Sequence, residues 1–357
     1  MHNQTAGEQP RSTPIRVVGT VARPTIREVA QVAGVSRGTV SRYLNGQKWV
    51  GADSATAIRQ AISTTGYRPN REARALASGR ATTVVFLLTD PYETLFGSRV
   101  YPILLRELSD ALLERGMSLV LMTASTADER AAAIDFAGAG SVHGVLLVNS
   151  RVGDPLIGHL VGAGVRTVAC GRPMAWETQV SSVSADDRAG GRDATAHLVS
   201  LGRTRIAIIT GPLDFGGSVE RLEGHLESLD AAGMSRDATR VAESDWTYEG
   251  GYRAMRSLLA ADPGIDGVFA SNDTMASGAL DALRDAGRSV PHDIAVVGFD
   301  DTGLAATLEP PLTTLRQPFA AISREMVGLL FDEETDRIHH TTIPAQLVVR
   351  GSTRGES

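Results

Sequence analysis

Short runs of apolar and β-branched residues alternate, from Val84 onward, with longer segments whose apolar residues recur every three or four positions. The short runs predict strands, and the longer segments predict amphipathic helices. The predicted strands are Val84–Leu88, Ser118–Met122, Gly144–Val148, Arg166–Ala169, Arg205–Ile209, Gly267–Ala270 and Ile294–Gly298. The predicted helices are Val100–Arg115, Asp186–Leu201, Gly217–Ala232, Tyr248–Ala260 and Thr274–Ala286. Four helices are followed by a glycine suited to the left-handed residue that closes a helix, namely Gly116, Gly202, Gly233 and Gly287.

This alternation predicts parallel sheets with helices packed on both faces. The whole pattern amounts to about ten strands, more than one sheet comfortably holds, so we expect two similar lobes. In such folds a ligand binds beyond the carboxyl ends of the strands, which here means the cleft between the lobes.

The segment from Pro24 to Tyr67 predicts three short helices. Their expected N-cap residues are Thr25, Ser36 and Asp53. Glu28 completes a capping box with Thr25, and Gly34 occupies the turn after the first helix, where the backbone needs a positive φ. The second helix, from Arg37 to Asn45, presents small or hydrogen-bonding residues outward, namely Arg37, Gly38, Thr39, Ser41 and Arg42. Such a helix can enter the major groove of DNA, although a three-helix bundle that binds no DNA would show the same periodicity.

The formal net charge of −6 argues against a nucleic-acid-binding protein, but the charge is unevenly distributed. Residues 1–83 contain 12 Lys and Arg against 4 Asp and Glu, and the rest of the chain contains 23 against 37. A basic head on an acidic body indicates that only the head meets a polyanion. Residues 1–23 are polar with Pro and Gly, which predicts a disordered tail, and residues 351–357 are expected to form a second, short tail.

The sequence argues against several other classes of protein. Cys170 is the single cysteine, which leaves no disulfide framework or thiolate metal cluster, and adjacent His339 and His340 are expected to lie in a solvated turn. No phosphate-binding loop or nucleophile elbow is present, so we expect neither an enzyme nor a cofactor. No apolar run approaches the about 20 residues that span a membrane. The start of the chain has no signal-peptide core, which predicts a cytoplasmic protein and counts against an exported solute-binding protein.

Several strings of residues resemble the LacI/GalR family of repressors. In the head these are residues 24–30, 33–36 and 39–42, continued by Asn45, Gly66-Tyr67 and Pro69-Asn70. In the body they are residues 298–301, Gly-Phe-Asp-Asp, and residues 310–314, Pro-Pro-Leu-Thr-Thr. The resemblance implies an all-α helix-turn-helix DNA-binding head and an α/β sensor, like a periplasmic binding protein, of two doubly wound lobes.

The resemblance also implies domain boundaries. The helix-turn-helix domain would span residues 24–69, the hinge helix and linker residues 70–83, and the ligand-binding domain residues 84–350. The first lobe would comprise about residues 84–181 and 318–336, and the second about residues 182–317 and 337–350.

On the DNA side, the resemblance implies a homodimer on an inverted-repeat operator. The implied DNA-binding residues are Thr25, Ser36, Arg37, Gly38, Thr39, Ser41, Arg42, Asn45, Asn70, Arg71, Ala73 and Leu76. Residues 70–77 are too few for a stable isolated helix, so the hinge is expected to fold on DNA, where Leu76 from each subunit wedges into the minor groove. The alternative is a plain interdomain linker with one exposed leucine.

On the ligand side, the implied contacts are Tyr92, Phe96, Arg172, Arg221, Trp246, Asn272, Asp273, Asp300 and Gln317. Each has a structural alternative: Asp273 as a helix cap, Arg221 in a surface ion pair, and Trp246 in the core. The Gly-Arg-Pro at residues 171–173 stands where many sugar-binding members have Asp-Arg-Pro, and it is similar to actinobacterial regulators of cellobiose and other glycoside use.

The resulting hypothesis is a repressor of glycoside-utilisation genes that a small carbohydrate releases from DNA. The nearest alternative is a regulator that needs a nucleobase or another metabolite as corepressor. A solute-binding protein, which would need export and no head, and an enzyme on a similar two-lobed fold are more distant alternatives.

Overall fold

The structure is a computed structural model that describes residues 24–44, 49–67, 81–332 and 337–354, without the side chains of residues 92–94. The chain divides into two compact units, residues 1–78 and residues 79–357, and the division falls within the predicted linker. The predicted N-terminal tail and the hinge residues 70–77 lie outside the described residues.

The first unit is a three-helix head with α1 (Ile26–Val32), α2 (Arg37–Leu44) and α3 (Ala52–Thr65). The predicted capping box is confirmed: Glu28 N donates to Thr25 Oγ1 at 3.4 Å, and Thr25 N donates to Glu28 Oε2 at 2.6 Å. Ser36 Oγ accepts from Thr39 N at 3.1 Å, and Gly34 has the expected positive φ of 67°. These local bonds satisfy the free backbone N–H groups that would otherwise fray two very short helices.

The prediction that Asp53 caps the third helix is wrong. Helix α3 begins at Ala52 with Gly51 as its N-cap, and no side chain caps it. Asp53 lies instead in the first turn, where its negative charge favours the positive end of the helix dipole. The buried core of the head is formed by Val29, Ala30, Val40, Ile58 and Ala61.

The second unit contains two six-stranded sheets, one in each lobe. The first sheet has the order β11-β5-β4-β3-β1-β2 and consists of β1 (Thr83–Leu88), β2 (Ser118–Thr123), β3 (Gly144–Val148), β4 (Thr167–Cys170), β5 (Ser181–Ala185) and β11 (His340–Ile343). The second has the order β12-β10-β9-β8-β6-β7 and consists of β6 (Ile206–Thr210), β7 (Val241–Glu243), β8 (Gly267–Ala270), β9 (Ala295–Asp300), β10 (Thr313–Arg316) and β12 (Gln346–Val348). Every pairing is parallel except that of β12 with β10, so the carboxyl ends of most strands share one edge of each sheet.

Helices cover both faces of each sheet, as the alternating pattern predicted. They are α4 (Tyr92–Gly97), α5 (Val100–Leu113), α6 (Ala127–Phe136), α7 (Pro155–Gly162), α8 (Asp187–Ser200), α9 (Gly216–Ala231), α10 (Tyr248–Ala261), α11 (Asp273–Asp285) and α12 (Phe319–Phe331). Three shorter segments are π-helical (Ala137–Ser141) or 3₁₀-helical (Ala238–Arg240 and Ala305–Thr307). Within the described residues, no helix combines the length and the apolar character needed to cross a membrane.

The seven predicted strands and five predicted sensor helices are present, with ends shifted by one or two residues. The four predicted helix-closing glycines all have positive φ, between 68° and 78°. The pattern missed β5, β7, β10, β11 and β12. Strands β5 and β10 carry polar Ser and Thr residues, and β7 and β12 have only three residues each, so neither pair shows a distinct apolar run.

The expected lobe boundaries need correction because of those missed strands. β5 pairs with β4 in the first sheet, so the first lobe continues to Ala185 rather than ending at residue 181. β11 pairs in parallel with β5, which places residues 340–343 in the first lobe and not the second. His340 accordingly lies in a strand rather than a turn, and its ring lies 2.8 Å from Ser182 Oγ.

The expected C-terminal tail also starts too early. Ser352 is fully buried, and its Oγ accepts from Thr313 N at 2.8 Å and donates to Val296 O at 2.6 Å. Thr353 Oγ1 lies 2.7 Å from Thr313 Oγ1. Residues 351–354 therefore close the second lobe, because their hydroxyls satisfy buried backbone groups at the start of β10.

Two pairs of helices in the second lobe cross at glycines. A Cβ at Gly191 of α8 would overlap the backbone carbonyl of Arg221, and one at Gly224 of α9 would overlap that of Arg188. The pair α10 and α11 repeats the arrangement with Gly251 and Gly278. The α8–α9 contact brings the two backbones together and so sets where the side chains of α9 reach the cleft.

Candidate functional site

Residues of both lobes border one cavity of about 150 Å³ near the carboxyl ends of β3, β4 and β5. It is lined by Val100, Tyr101, Leu104, Val148, Asn149, Cys170, Gly171, Ser184, Ala185, Asp187, Phe215, Gly217, Ser218, Arg221, Trp246, Gln317, Phe319 and Ile322. A larger cavity, of about 350 Å³, lies at the opposite ends of β4 and β5, beside Asp332 and Arg337. We place the candidate site in the cleft between the lobes, because ligands of doubly wound sheets bind at the carboxyl ends of strands.

Arg221 of α9 enters this cavity from the second lobe. Its Nε donates to Asp187 Oδ1 at 2.8 Å, and its Nη1 donates to the carbonyl of Ser271 at 2.5 Å. The guanidinium carbon lies 3.7 Å from the centroid of the Phe299 ring. Arg221 is 7% exposed, so it is not in a surface ion pair, the structural alternative to ligand contact.

Asp187, the partner of Arg221, also lines the cavity and was not predicted. It occupies the first turn of α8, one residue after the capping residue Asp186. Burial raises the pKa of its carboxyl, and the neighbouring Arg221 partly offsets that rise. The sequence offered one indication, a pair of carboxylates directly after a strand, but the polar strand β5 hid it.

Ser218 supplies a hydroxyl that has no partner within the described part of the chain. Its side chain is fully buried, its Oγ makes no hydrogen bond, and it lines the cavity one helical turn before Arg221. A buried hydroxyl left without a partner costs about 1–3 kcal/mol. Because it lines the cavity, Ser218 Oγ is a candidate to bind a polar atom of a ligand.

Trp246 lines the same wall, directly after β7. Its indole packs on Gly211, where any Cβ would overlap the ring, and the Arg221 guanidinium carbon lies 5.8 Å from the ring centroid. Its φ of 67° belongs to the left-handed region that residues with a side chain rarely adopt. Asn149 and Asp300, at the ends of β3 and β9, share such a backbone, with φ of 62° and 115°. Strained residues collect at functional sites, and here they surround the cleft.

The first lobe contributes a hydrogen-bonded group of three residues. Tyr101 of α5 donates its hydroxyl to Asp90 Oδ2 at 2.7 Å, and Asn149 Nδ2 donates to the same oxygen. Burial, and then the charge of Asp90, raise the pKa of Tyr101 well above its usual value. Tyr101 and Asn149 both line the cavity, and neither was predicted.

Of the two aromatic ligand contacts that the resemblance implies, Tyr92 and Phe96, the structure tests only Phe96. Phe96 is 81% exposed on α4 and does not line the cavity, and the side chain of Tyr92 is outside the described part of the structure. Tyr101 instead supplies an aromatic side chain to the cavity. Helix α5 packs on β1, and Tyr101 lies on the face of α5 that is turned toward the cleft. The sequence alone could not show which of these aromatic residues is buried.

Two other predicted contacts, Asn272 and Asp273, lie behind the cavity wall. Asn272 caps α11 by accepting from Met275 N at 2.7 Å, and it donates to the carbonyl of Trp246 at 3.2 Å. Asp273 is 1% exposed and accepts from Thr314 Oγ1 at 2.6 Å and Asp301 N at 2.8 Å. Both are therefore placed to position the cleft rather than to contact a ligand in it.

Asp300 and Gln317 act as a pair at the back of the cleft. Gln317 lines the cavity as predicted and donates through Nε2 to Asp300 Oδ1 at 2.6 Å. Asp300 is 6% exposed and is not itself part of the lining. Burial raises its pKa to about 6, although Arg221 and Gln317 both act to lower it.

Two polar contacts join the lobes at the rim of the cleft, and we call them the rim latch. Arg151 of the first lobe forms an ion pair with Asp214, and its guanidinium lies 4.6 Å from the centroid of the Phe215 ring. Arg172 forms ion pairs with Glu177 at 3.2 Å and, across the cleft, with Glu220 at 3.4 Å. Arg172 does not line the cavity, so the structure places this predicted ligand contact in the rim latch.

In the head, three of the five residues expected on the outward face of α2 are exposed. Arg37, Gly38 and Arg42 are exposed, and Arg42 folds back along the helix, with Nε donating to the carbonyl of Gly38 at 3.3 Å. Thr25 and Ser36 use their side chains as N-caps, which fixes the start of each helix. Thr39 and Ser41, also predicted to contact DNA, are half-buried on the same helix. The remaining predicted DNA contacts, Asn45, Asn70, Arg71, Ala73 and Leu76, lie outside the described residues.

A helix-turn-helix head and a two-lobed unit with a polar cleft, in one chain, define a ligand-responsive DNA-binding regulator. Comparison with known families supports this class. Residues 25–70 match the model of bacterial regulatory proteins of the lacI family, and residues 195–353 match that of a periplasmic binding protein-like domain.

Known relatives match along almost the whole chain. The HTH-type transcriptional regulator CelR of Thermobifida fusca is 44% identical over 92% of this chain and 96% of its own length. A solved CelR–cellobiose complex is 42% identical, with a TM-score of 0.74 over 92% of this chain and 100% of that one. A lac repressor dimer bound to operator and the anti-inducer ONPF is 26% identical, with a TM-score of 0.82 over 93% and 100%. The chain belongs to the lacI family of bacterial regulatory proteins, and it is a transcriptional regulator rather than an enzyme.

Proposed function

We propose that this protein is a cytoplasmic, homodimeric repressor of glycoside-utilisation genes, released from an inverted-repeat operator by a small glucoside such as cellobiose. The observation that carries the proposal is the combination, in one cleft, of an unpaired hydroxyl (Ser218), an ion pair (Asp187 and Arg221) and an indole face (Trp246). Saccharides present alternating hydroxyls, which donate and accept hydrogen bonds, and apolar ring faces, which pack on aromatic rings. The relative solved with cellobiose supports the choice of saccharide.

The size of the cleft indicates how an effector is admitted. The cavity of about 150 Å³ is smaller than the about 300–1,000 Å³ of typical ligand pockets. A disaccharide can therefore bind only if the lobes part and then close around it. Such closure changes the relative position of the two lobes, which is how ligand binding can be transmitted to the DNA-binding heads.

The direct test is a DNA-shift assay with the full-length protein and the DNA upstream of its own coding sequence. We expect binding to this DNA at fixed salt, and release by cellobiose at concentrations where maltose, trehalose and galactosides have little effect. Hypoxanthine and guanine serve as controls for the corepressor alternative, which predicts tighter rather than weaker DNA binding. The proposal is abandoned if no saccharide changes DNA affinity.

Arg42→Ala should weaken binding to the cognate operator by about 1–3 kcal/mol and relax the preference at one base pair of each half-site. Arg42 is exposed on α2, where its forked donors can reach a base edge after leaving the carbonyl of Gly38. The measurement is the dissociation constant for the operator and for single-base variants at constant ionic strength. Arg59→Ala, on the exposed face of α3, is the matched control and should preserve the base preference. A uniform loss of affinity for every DNA would assign Arg42 to the phosphate backbone instead.

Arg151→Ala, which removes one half of the rim latch, should raise the dissociation constant for cellobiose about three- to tenfold. An exposed ion pair and a cation–π contact together contribute about 1 kcal/mol to the closed cleft. The measurement is calorimetric titration of the full-length protein, with the unfolding temperature as a check on stability. Arg253→Ala is the control, because it removes an exposed ion pair with Asp245 within one lobe. Equal affinities in the two variants would show that the rim latch does not favour closure.

A further inference from the structure

Resting on the proposed function, we propose that the cleft selects uncharged saccharides and rejects phosphorylated or carboxylated ones, with Asp187 and Glu220 as the residues that determine this selection. Asp187 lines the cavity, Asp90 and Asp300 are hydrogen-bonded to lining residues from behind, and Glu220 lies on the rim beside Arg172. Within the described lining, Arg221 is the single guanidinium. The fixed charge of the cleft is therefore negative.

Arg221 has little capacity left for an anion. Its charge is already balanced by Asp187, and two of its three nitrogens donate to Asp187 and to the carbonyl of Ser271. Its flat face is covered by the Phe299 ring. Proteins that bind phosphate usually offer an arginine fork free to form two parallel hydrogen bonds, and here the Nε side of that fork is occupied.

Arg172, the other arginine near the cleft, does not change this balance. It lies on the rim, its side chain is 48% exposed, and it forms ion pairs with both Glu177 and Glu220. Each positive charge at the site thus already has at least one carboxylate partner. Asp300 forms no ion pair with the described residues: its hydrogen bond comes from the neutral amide of Gln317, and Arg221 acts on it only through its charge.

The carboxyls of the cleft are harder to ionise than usual, mainly because they are buried and partly because they lie close to one another. Burial raises the pKa of Asp187, Glu220 and Asp300, the last to about 6. After burial, the charge of Asp187 raises the pKa of Glu220. It also raises the pKa of Asp300, where Arg221 and Gln317 act more strongly in the opposite direction. The carboxylates already repel one another, and an anionic ligand would add a further negative charge at the same place.

An uncharged saccharide is not repelled by these carboxylates and can form hydrogen bonds with the cleft. The unpaired Ser218 Oγ lies in the same turn of α9 as Glu220 and Arg221 and is fully buried. It can accept from one sugar hydroxyl or donate to another, and a carboxylate oxygen of Asp187 can accept from a second. It follows that the effector reaches the protein as a product of glycoside hydrolysis or unmodified uptake, before any phosphoryl transfer.

The test is calorimetric titration of the full-length protein at pH 7.5 with cellobiose, cellobiose 6-phosphate and cellobiouronic acid. We expect each charged ligand to bind about 100-fold more weakly than cellobiose or worse, because like charges brought together in a desolvated site cost several kcal/mol. If a charged ligand binds within threefold of cellobiose, the selection is overturned while the proposed function stands. If no neutral saccharide binds, the proposed function itself fails.

Two variants assign the selection to particular residues. Glu220→Gln and Asp187→Asn each remove a negative charge with little change in shape, and each should reduce the ratio of affinities for cellobiose and cellobiouronic acid by about tenfold. Glu223→Gln is the matched control, since its side chain is 44% exposed on the same helix and pairs with Arg188. If the ratio of affinities for cellobiose and cellobiouronic acid is the same in these two variants as in the control, the selection is not due to Glu220 and Asp187.

Lowering the pH provides an independent check. Asp300, with a pKa of about 6, becomes protonated between pH 7.5 and pH 5.5, whereas the uronic carboxylate stays ionised over that range. The ratio of affinities should therefore fall at pH 5.5 in the wild type. An unchanged ratio would remove Asp300 from the charge that opposes anions.

Discussion

Arg221→Met is expected to abolish the release of DNA by the effector while leaving operator binding in the absence of effector. The substitution removes the guanidinium beside Ser218 and leaves Asp187 buried without its ion-pair partner. Breaking a buried ion pair by removing one partner costs about 3–5 kcal/mol, so a lower unfolding temperature should accompany the loss of response. The measurements are the DNA-shift assay with cellobiose and the thermal unfolding curve.

A double variant separates ligand contact from stability. Arg221→Met combined with Asp187→Leu removes both charges, which should recover much of the stability but not the effector response. Arg188→Met is the matched control, because Arg188 forms an exposed ion pair with Glu227, which the solvent screens. An Arg221→Met protein with a normal cellobiose response would refute the assignment of Arg221 to the effector site.

Gly224→Ala is expected to lower the free energy of unfolding of the sensor by about 3 kcal/mol, corresponding to about 6–12 °C in Tm. The new methyl group would overlap the backbone carbonyl of Arg188, so α8 and α9 would have to move apart. Backbone cannot adapt as a flexible side chain can, and the displaced α9 would carry Arg221 and Ser218 out of position. Effector affinity should therefore fall together with stability.

Gly278→Ala tests the same packing without touching the site. Its methyl group would overlap the carbonyl of Tyr248 at the α10–α11 crossing, so stability should fall while the position of α9 is preserved. Gly138→Ala is the control, because its Cβ would lie 3.8 Å from that of Ala163, an ordinary contact. A Gly224→Ala protein as stable as that control would mean that the two helices can separate at little cost.

The head was largely predictable because its determinants are local. The Thr25–Glu28 capping box, the positive φ of Gly34 and the cap at Ser36 each involve residues no more than three or four positions apart. The exception is the start of α3, where Asp53 was predicted as the N-cap but lies in the first turn. Aspartate is common at both positions, so the sequence does not show which of the two it occupies.

The sensor fold was predictable in class but not in detail. Apolar runs such as Gly144–Val148 are buried on both faces, which parallel sheets require, and they stand out in the sequence. The polar strand β5 does not stand out in the sequence. Strand β11 pairs with β5, which lies more than 150 residues earlier in the chain, so the sequence around β11 does not show this pairing. The boundary between the lobes depends on those two strands, and it was therefore misplaced.

The sequence by itself determined that a basic helix-turn-helix head precedes an acidic two-lobed sensor, and it located Arg221, Trp246 and Gln317 in the cleft. Those features follow from periodicity, charge and short strings of residues, which act over a few positions. Only the tertiary structure decided that Asp187 balances Arg221, that Tyr101 rather than Phe96 supplies an aromatic side chain to the cavity, and that Asp273 supports the site from behind. Each of these depends on which distant segments of the chain pack together. Arg221 and Asp187 are 34 residues apart, and Thr314 and Asp273 are 41 apart, so their hydrogen bonds are set by how helices and strands pack and not by neighbours in the chain.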